Sequence, residues 1–327
     1  MKQFFFGAAM VLALSFPAAA QPVTWQVINE YPATALTGEA DKFFAEAVKT
    51  KTGGRVMIEP VPDAKSGLRT KEQLKAVSEG RYAMASSFAG ALADESPVFL
   101  LSSLPFLTPT AAHARALYEA SAPLYEKLFV EHGQKILYVS PWPPSGIWSA
   151  IPVSGRAALG TLKIRTYDKT GTELFSQVAA AASVVSFADL NAKLESGEIN
   201  AVLSSGDGGA GRQLWKYLKY FSEITYAIPL SFGSVSLAEW NKLDDATKKA
   251  VEEAGRETTE HQWQAMNGRV EKNYAVMRDN GVTITQPPLD VTVALGVAAA
   301  KTLIEWNTKA GPDAVKAVQD YQAKTVK

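Results

Sequence analysis

The chain has 327 residues, 33 Lys plus Arg against 33 Asp plus Glu, 47% hydrophobic residues and no cysteine. Balanced charge without a basic block removes the electrostatic footprint of nucleic-acid binding, and the missing cysteine removes disulfides, thiol catalysis, iron–sulfur clusters, cysteine zinc sites and a lipid tether on cysteine. A chain of this length exceeds one comfortable hydrophobic core, so two domains are expected.

Residues 1–20 read as an export signal: Lys2, an apolar run over 4–16, then Pro17-Ala-Ala-Ala20 with small residues before the cut. Cleavage leaves Gln21 at the N-terminus, and the expected location is the periplasm. No later run of about 18 uncharged apolar residues follows.

From residue 23 short apolar runs alternate with amphipathic segments of helical period, the pattern of an α/β protein. A strand is predicted over 23–29, then a helix over 37–52 with Phe43, Phe44, Ala47 and Val48 on one face and Gly53-Gly54 as its stop. A strand over 56–61, a helix over 71–79 ended by Gly80, and a strand over 82–88 come next. That last strand carries Ser86-Ser87 near its carboxyl end, where open α/β sheets hold ligands. After a helix over 110–132 and a strand over 135–140, the stiff turn Pro141-Trp-Pro-Pro-Ser-Gly146 marks a crossing to a second lobe. The rhythm repeats there with strands over 163–167, 183–185 and 201–204 and helices over 170–181 and 188–196.

Residues 244–280 form a long helical segment without proline, with glycine only at Gly255 and Gly268, long enough to brace both lobes. A strand over 283–285 and helices over 291–309 and 312–324 close the chain. The expected division is a signal over 1–20, a first lobe over 21–141 onto which 289–327 packs back, a second lobe over 142–240, and a brace with return strand over 241–288.

Two stretches carry a family likeness. Thr52-Gly-Gly-Arg-Val-Met-Ile-Glu-Pro, followed by Glu72-Gln-Leu-Lys-Ala-Val-Ser-Glu-Gly-Arg-Tyr-Ala-Met84, is one. Leu162-Lys-Ile-Arg-Thr-Tyr167, followed by Ser183-Val-Val-Ser-Phe-Ala-Asp-Leu-Asn-Ala-Lys-Leu-Glu-Ser-Gly-Glu-Ile-Asn-Ala201, is the more specific. At this spacing they resemble the substrate-binding receptors of TRAP transporters, the DctP-like family, over most of the chain. The resemblance implies a two-lobe periplasmic-binding-protein fold of Venus-flytrap type with mixed sheets. It also implies no enzymatic activity, a small organic carboxylate as ligand, and small and large integral membrane subunits as partners. It assigns Arg165 to the ligand carboxylate. Ile147-Trp148 stands where sugar-acid receptors of the family carry a further arginine, and Asn200-Ala201 replaces their Asp-Gly, so a polyhydroxylated sugar acid is disfavoured.

The residues themselves support an anion site. Arg165 lies inside an apolar strand, where an unpaired guanidinium is costly unless it reaches solvent or meets an anion, and its fork suits a carboxylate. Tyr31, Phe88, Trp142, Trp148, Tyr167, Phe187 and Phe232 fall in loops or at strand ends and suggest an aromatic or bulky apolar ligand body. Ser204 is the polar candidate beyond Arg165, Asn29, Glu30 and Tyr31 form a turn near the ligand, and Arg69 is placed to reach a second carboxylate. A short 2-oxo acid or a C4-dicarboxylate is the alternative. An enzyme using Glu30 or Asp207 as base is the rival of another class. No nucleophile elbow, phosphate loop, paired metal-ligating histidines or calcium loop occurs, and no cofactor is assigned.

Overall fold

The structure, a computed structural model, describes residues 22–325, so the expected export signal lies outside it. Among the described residues the strands are β1 (Val23–Asn29), β2 (Val56–Val61), β3 (Met84–Phe88), β4 (Gln134–Pro141), β5 (Ser145–Ser149), β6 (Lys163–Thr166), β7 (Ala181–Val184), β8 (Ala201–Ser205), β9 (Tyr220–Ser222), β10 (Leu230–Ser236) and β11 (Thr283–Thr285). They form a five-stranded sheet of order β2-β1-β3-β10-β4 and a six-stranded sheet of order β11-β9-β5-β8-β6-β7. Both sheets mix parallel and antiparallel pairs.

In the first lobe β1 pairs in parallel with β2 and β3, and helices Leu36–Thr52 and Thr70–Ser78 precede those partners in the chain. The first of these helices stops at Gly53, whose φ of 60° is the left-handed cap that glycine adopts without strain. Its buried face, with Phe44 and Val48, joins Trp25, Val27, Val56 and Tyr138 in one core. Helix Asp245–Ala265 lies across β4 and the Leu36–Thr52 helix. Gly255 permits this, because a Cβ there would stand 2.1 Å from the Leu137 carbonyl oxygen.

Three features differ from the sequence reading. Strand β10 returns to the first sheet, antiparallel between β3 and β4, although residues 142–240 were assigned to the second lobe. The long brace is two helices, Asp245–Ala265 on the first lobe and Arg269–Asp279 on the second, broken where Gly268 takes φ 73°. Helix Leu289–Lys309 packs on the second lobe, with Val291, Leu295 and Ala298 in the same core as Leu174 and Phe175. Near its end Trp306 and Leu303, followed by the last helix, Pro312–Thr325, join the first-lobe core beside helix Ala111–Glu131. The first and third share a cause, since an apolar stripe says that a face is buried, not which neighbour buries it, while the second follows from the left-handed backbone at Gly268.

Two of the chain's passages between the lobes are those from β4 into β5 and from β9 into β10. These two crossings run side by side, with Trp142 N donating to the Pro229 carbonyl at 2.8 Å, Ser145 N to Ala227 at 3.0 Å and Tyr226 N to Ser145 at 2.8 Å. A paired ribbon with four proline residues nearby, at 141, 143, 144 and 229, is a stiff floor for whatever binds between the lobes.

Candidate ligand site between the lobes

Arg165 stands in β6 with 3% of its surface exposed. Its Nε donates to the Val185 carbonyl at 2.8 Å and its Nη1 to that of Leu203 at 3.2 Å, so backbone on both sides holds the guanidinium in place. Among the described residues no carboxylate comes within the 4.0 Å of an ion pair. Burial pushes its pKa below the ordinary arginine value, opposed by the electrostatic influence of Tyr31, Glu30, Tyr167 and Asp168. A desolvated cation without a counter-ion is expensive, and an anion entering from outside removes that cost.

Arg165 faces a small cavity between the lobes. Tyr31, Phe88, Trp142, Tyr167 and Phe187 form its aromatic walls, and Ser145, Ser204 and Ser205 bring hydroxyls. Tyr31 lies 4.6 Å, centroid to centroid, from both Trp142 and Phe187, and Phe88 lies 5.2 Å from Tyr167. Trp142 Nε1 donates to Ser231 Oγ at 2.9 Å and Tyr167 Oη to Ser145 Oγ at 3.3 Å, so both polar tips are occupied and the ring bodies complete an apolar box. A Cβ on Gly208 would come within 2.4 Å of Ser204 Oγ, so glycine there leaves this hydroxyl its room. The lining comes from the carboxyl ends of β1, β3, β6 and β8, from the residue Phe187 beyond β7, and from the interlobe ribbon, which supplies Trp142, Ser145 and Pro229.

Of the side chains expected at the ligand, Arg165, Tyr31, Phe88, Trp142, Tyr167, Phe187 and Ser204 line this cavity. The others are elsewhere. Trp148 is wholly buried in β5, its indole N–H bonded to the Ser205 carbonyl at 3.2 Å and its ring 5.3 Å from Phe221. A Cβ on Gly209 would sit 2.0 Å from that ring, so helix Gly206–Arg212 lies directly on it and no ligand can stack there. Phe232 is core in the first lobe, 4.6 Å from Tyr125 and 5.6 Å from Phe129. Trp142 stood among the sequence's cleft aromatics; Ser145, Ser205, Gly208 and Pro229 did not.

Glu30 and Arg69 reach across the cleft to the opposite lobe. Glu30 accepts from Thr70 N at 2.7 Å and Thr70 Oγ1 at 2.6 Å on its own lobe, and from Ala188 N at 2.8 Å and the Ser186 hydroxyl on the other. Arg69 forks onto Asp189, Nη2 to Oδ1 at 2.6 Å and Nε to Oδ2 at 3.3 Å. These two residues clasp the segment that carries Phe187, so the lobes are closed over the cavity. Asp207 is not a free base: it accepts from Arg269 Nε at 2.6 Å and from Leu36 N at 2.8 Å.

Asn29 points away from the cavity and supports the turn that presents Tyr31. Its Oδ1 accepts from Tyr31 N at 2.9 Å, and its Nδ2 donates to Asp41 Oδ2 at 2.6 Å. Asp41 also accepts from Tyr138 Oη at 2.6 Å and is 1% exposed. Burial raises its carboxyl from 3.8 to about 7, with the hydrogen bonds from Tyr138, Asn29 and Ser86 acting in the opposite sense. The folded chain therefore keeps a proton that the unfolded chain releases near 3.8, the ordinary value for this carboxyl. This site's stabilisation is complete below that value and is lost as pH climbs to about 7. Asp41→Asn, neutral and of the same shape, is expected to raise the melting temperature at about pH 8 and to change it little at about pH 4. An equal shift at both pH values in a thermal melt would contradict this.

A buried, unpaired guanidinium in a closed aromatic cavity between two α/β lobes defines a binding protein for a small anion. The comparisons agree. Residues 29–305 match the family Bacterial extracellular solute-binding protein, family 7 (DctP), and the chain belongs to it. DctP7 of Bordetella pertussis, an extracytoplasmic solute receptor binding pyroglutamic acid, is 26% identical with a TM-score of 0.88, the match covering 92% of this chain and 99% of that one. DctP6 of the same organism, also binding pyroglutamic acid, gives 26% and 0.88 over 92% and 100%. A solute-binding protein of Chromohalobacter salexigens is 22% identical over 282 residues, 85% of this chain and 83% of that protein. A TRAP periplasmic solute-binding protein of Desulfovibrio desulfuricans with bound sn-glycerol-3-phosphate shares the fold at 16% identity and a TM-score of 0.86, over 92% of this chain and 97% of that one. The chain is thus a TRAP solute-binding receptor and not an enzyme.

Proposed function

We propose that the ligand is a compact monocarboxylate built on a small ring, and that Arg165 takes its carboxylate. The observation that carries this reading is the buried Arg165 without a carboxylate partner, facing a box of five aromatic rings. Arg165 is the one cationic side chain in the cavity lining among the described residues. A dicarboxylate would therefore leave its second charge against aromatic rings, since Arg69 is engaged by Asp189. The small space left between these walls favours a compact body over the bulky one expected from Trp148 and Phe232. The two Bordetella receptors, which bind pyroglutamic acid, support a ring acid of that size.

Closure follows from differential contact. Ligand held by Arg165 and the hydroxyls of one lobe meets Tyr31 and Phe88 of the other only when the lobes are shut, so it biases the equilibrium toward the shut form. The Glu30 and Arg69 clasp stabilises the same form. Integral membrane subunits of a TRAP transporter then receive the ligand from it, after residues 1–20 have directed the chain to the periplasm.

A thermal-shift panel on residues 21–327 tests the ligand class. Pyroglutamate at about 100 times its Kd is expected to add about 2.7 kcal/mol of stability, while C4-dicarboxylates and hexuronates give little or nothing. A larger rise with a dicarboxylate or a hexuronate would sink the compact-monocarboxylate reading.

A further inference from the structure

Helix Leu289–Lys309 buries Val291, Ala294, Leu295 and Ala298 against the second lobe and leaves its other face uncovered. That face holds Leu289, Val293, Val297 and Ile304, exposed to 79, 56, 61 and 64%. Gly296 and Ala300 complete the stripe, both exposed, and nothing lies within 4 Å of where a Gly296 Cβ would be. Apolar positions recurring every three or four residues are the spacing of a helix–helix seam.

We infer that this face pairs with the same face of a second copy, antiparallel, about a two-fold axis passing between Gly296 and Val297. The inference stands apart from the identity of the ligand. The stripe is its own complement about that midpoint: Leu289 meets Ile304, Val293 meets Ala300 and Gly296 meets Val297, with the small residues at the centre where two backbones approach. This is the reciprocity an isologous contact requires. Charge obeys the same symmetry. Asp290 and Lys301 are both exposed and flank one edge of the stripe. Antiparallel pairing sets Asp290 of each copy beside Lys301 of the other, whereas in a parallel pair these charged edges lie on opposite sides of the seam and do not meet. Opposed helix dipoles favour the same orientation. A seam one helix wide, on a helix of 21 residues, falls short of the roughly 800 Å² per partner of a standard interface, so the dimer is weak and concentration-dependent.

The absence of cysteine makes the geometry directly testable. In residues 21–327 under mild oxidation, Val297→Cys is expected to cross-link to itself. Leu289→Cys alone is expected to stay single, and an equal mixture of Leu289→Cys with Ile304→Cys to form the mixed pair. In sedimentation equilibrium the unmodified chain gains mass between low-micromolar and near-millimolar concentration, and Val297→Glu weakens that association at least about tenfold with an unchanged melting temperature. A chain that stays monomeric throughout without cross-links overturns the proposal, as does self-linking of Leu289→Cys, which means parallel pairing. Loss of transport in cells by Val297→Glu in a strictly monomeric chain also overturns it and assigns the face to the membrane subunits.

Discussion

Arg165→Ala is expected to cost about 3–5 kcal/mol of ligand binding, roughly two to three and a half decades in Kd, because it leaves a carboxylate enclosed among aromatic rings without a partner. The same substitution is expected to leave the melting temperature of the ligand-free chain unchanged or higher. In the free chain Arg165 is a buried cation whose ion pair is missing, and its burial pushes its pKa below the usual value. Alanine removes that charge and gives up two hydrogen bonds to the Val185 and Leu203 carbonyls. Binding and stability therefore move apart, as expected where a side chain is kept for its ligand rather than for the fold. Arg165→Lys keeps the charge and loses the fork, so it is expected to fall between the two. Calorimetry and thermal melts on the same preparations check both halves. A parallel loss of affinity and melting temperature in Arg165→Ala would show that the residue is structural.

Arg269→Ala carries the largest expected effect on stability. Arg269 is 8% exposed and ties together three elements: Nε to Asp207 at 2.6 Å, Nη1 to Glu39 at 3.0 Å and Nη2 to the Thr34 carbonyl at 2.7 Å. Asp207 in turn accepts from Leu36 N, at the start of the first-lobe helix, so this buried pair bonds the two lobes beside the break at Gly268. Removing one partner leaves Asp207 buried and charged, a change that typically costs about 3–5 kcal/mol. At about 2 °C per kcal/mol for a chain of this size, the melting temperature falls by roughly 6–10 °C. The double variant Arg269→Met, Asp207→Asn removes both charges while the asparagine oxygen can still accept from Leu36 N, and it is expected to recover at least half of that loss. If the single variant melts within a degree of the parent, this pair contributes no stability.

Arg165 was legible because its position is chemically odd: a guanidinium within Leu162-Lys-Ile-Arg-Thr-Tyr167 needs an explanation that solvent exposure or an anion must supply. Tyr31, Phe88, Tyr167 and Phe187 were legible as aromatics at the ends of strands and turns. Trp148 misled because every residue of β5 is buried, so strict alternation gave no sign of which face each side chain takes. Phe232 misled for the same reason in β10, which is buried throughout. Glu30 and Arg69 bond across the cleft to the opposite lobe. Their acceptors and donors, Ser186 and Asp189, lie 156 and 120 residues away along the chain, and nothing local announces such a pairing. The return of β10 to the first sheet was hidden likewise, since a short apolar strand fits either sheet until its neighbours are known. Local chemistry could be read from the sequence; long-range pairing could not.

The central claim is that the ligand is held through its carboxylate by Arg165 inside the closed cavity. The most direct measurement is a calorimetric titration of residues 21–327 with pyroglutamate and with its neutral primary amide, identical in ring and nearly identical in shape. The account predicts that the acid binds and that the amide binds at least about a hundredfold more weakly. It further predicts that Arg165→Ala erases the difference. Equal affinity for acid and amide in the unmodified chain would contradict it.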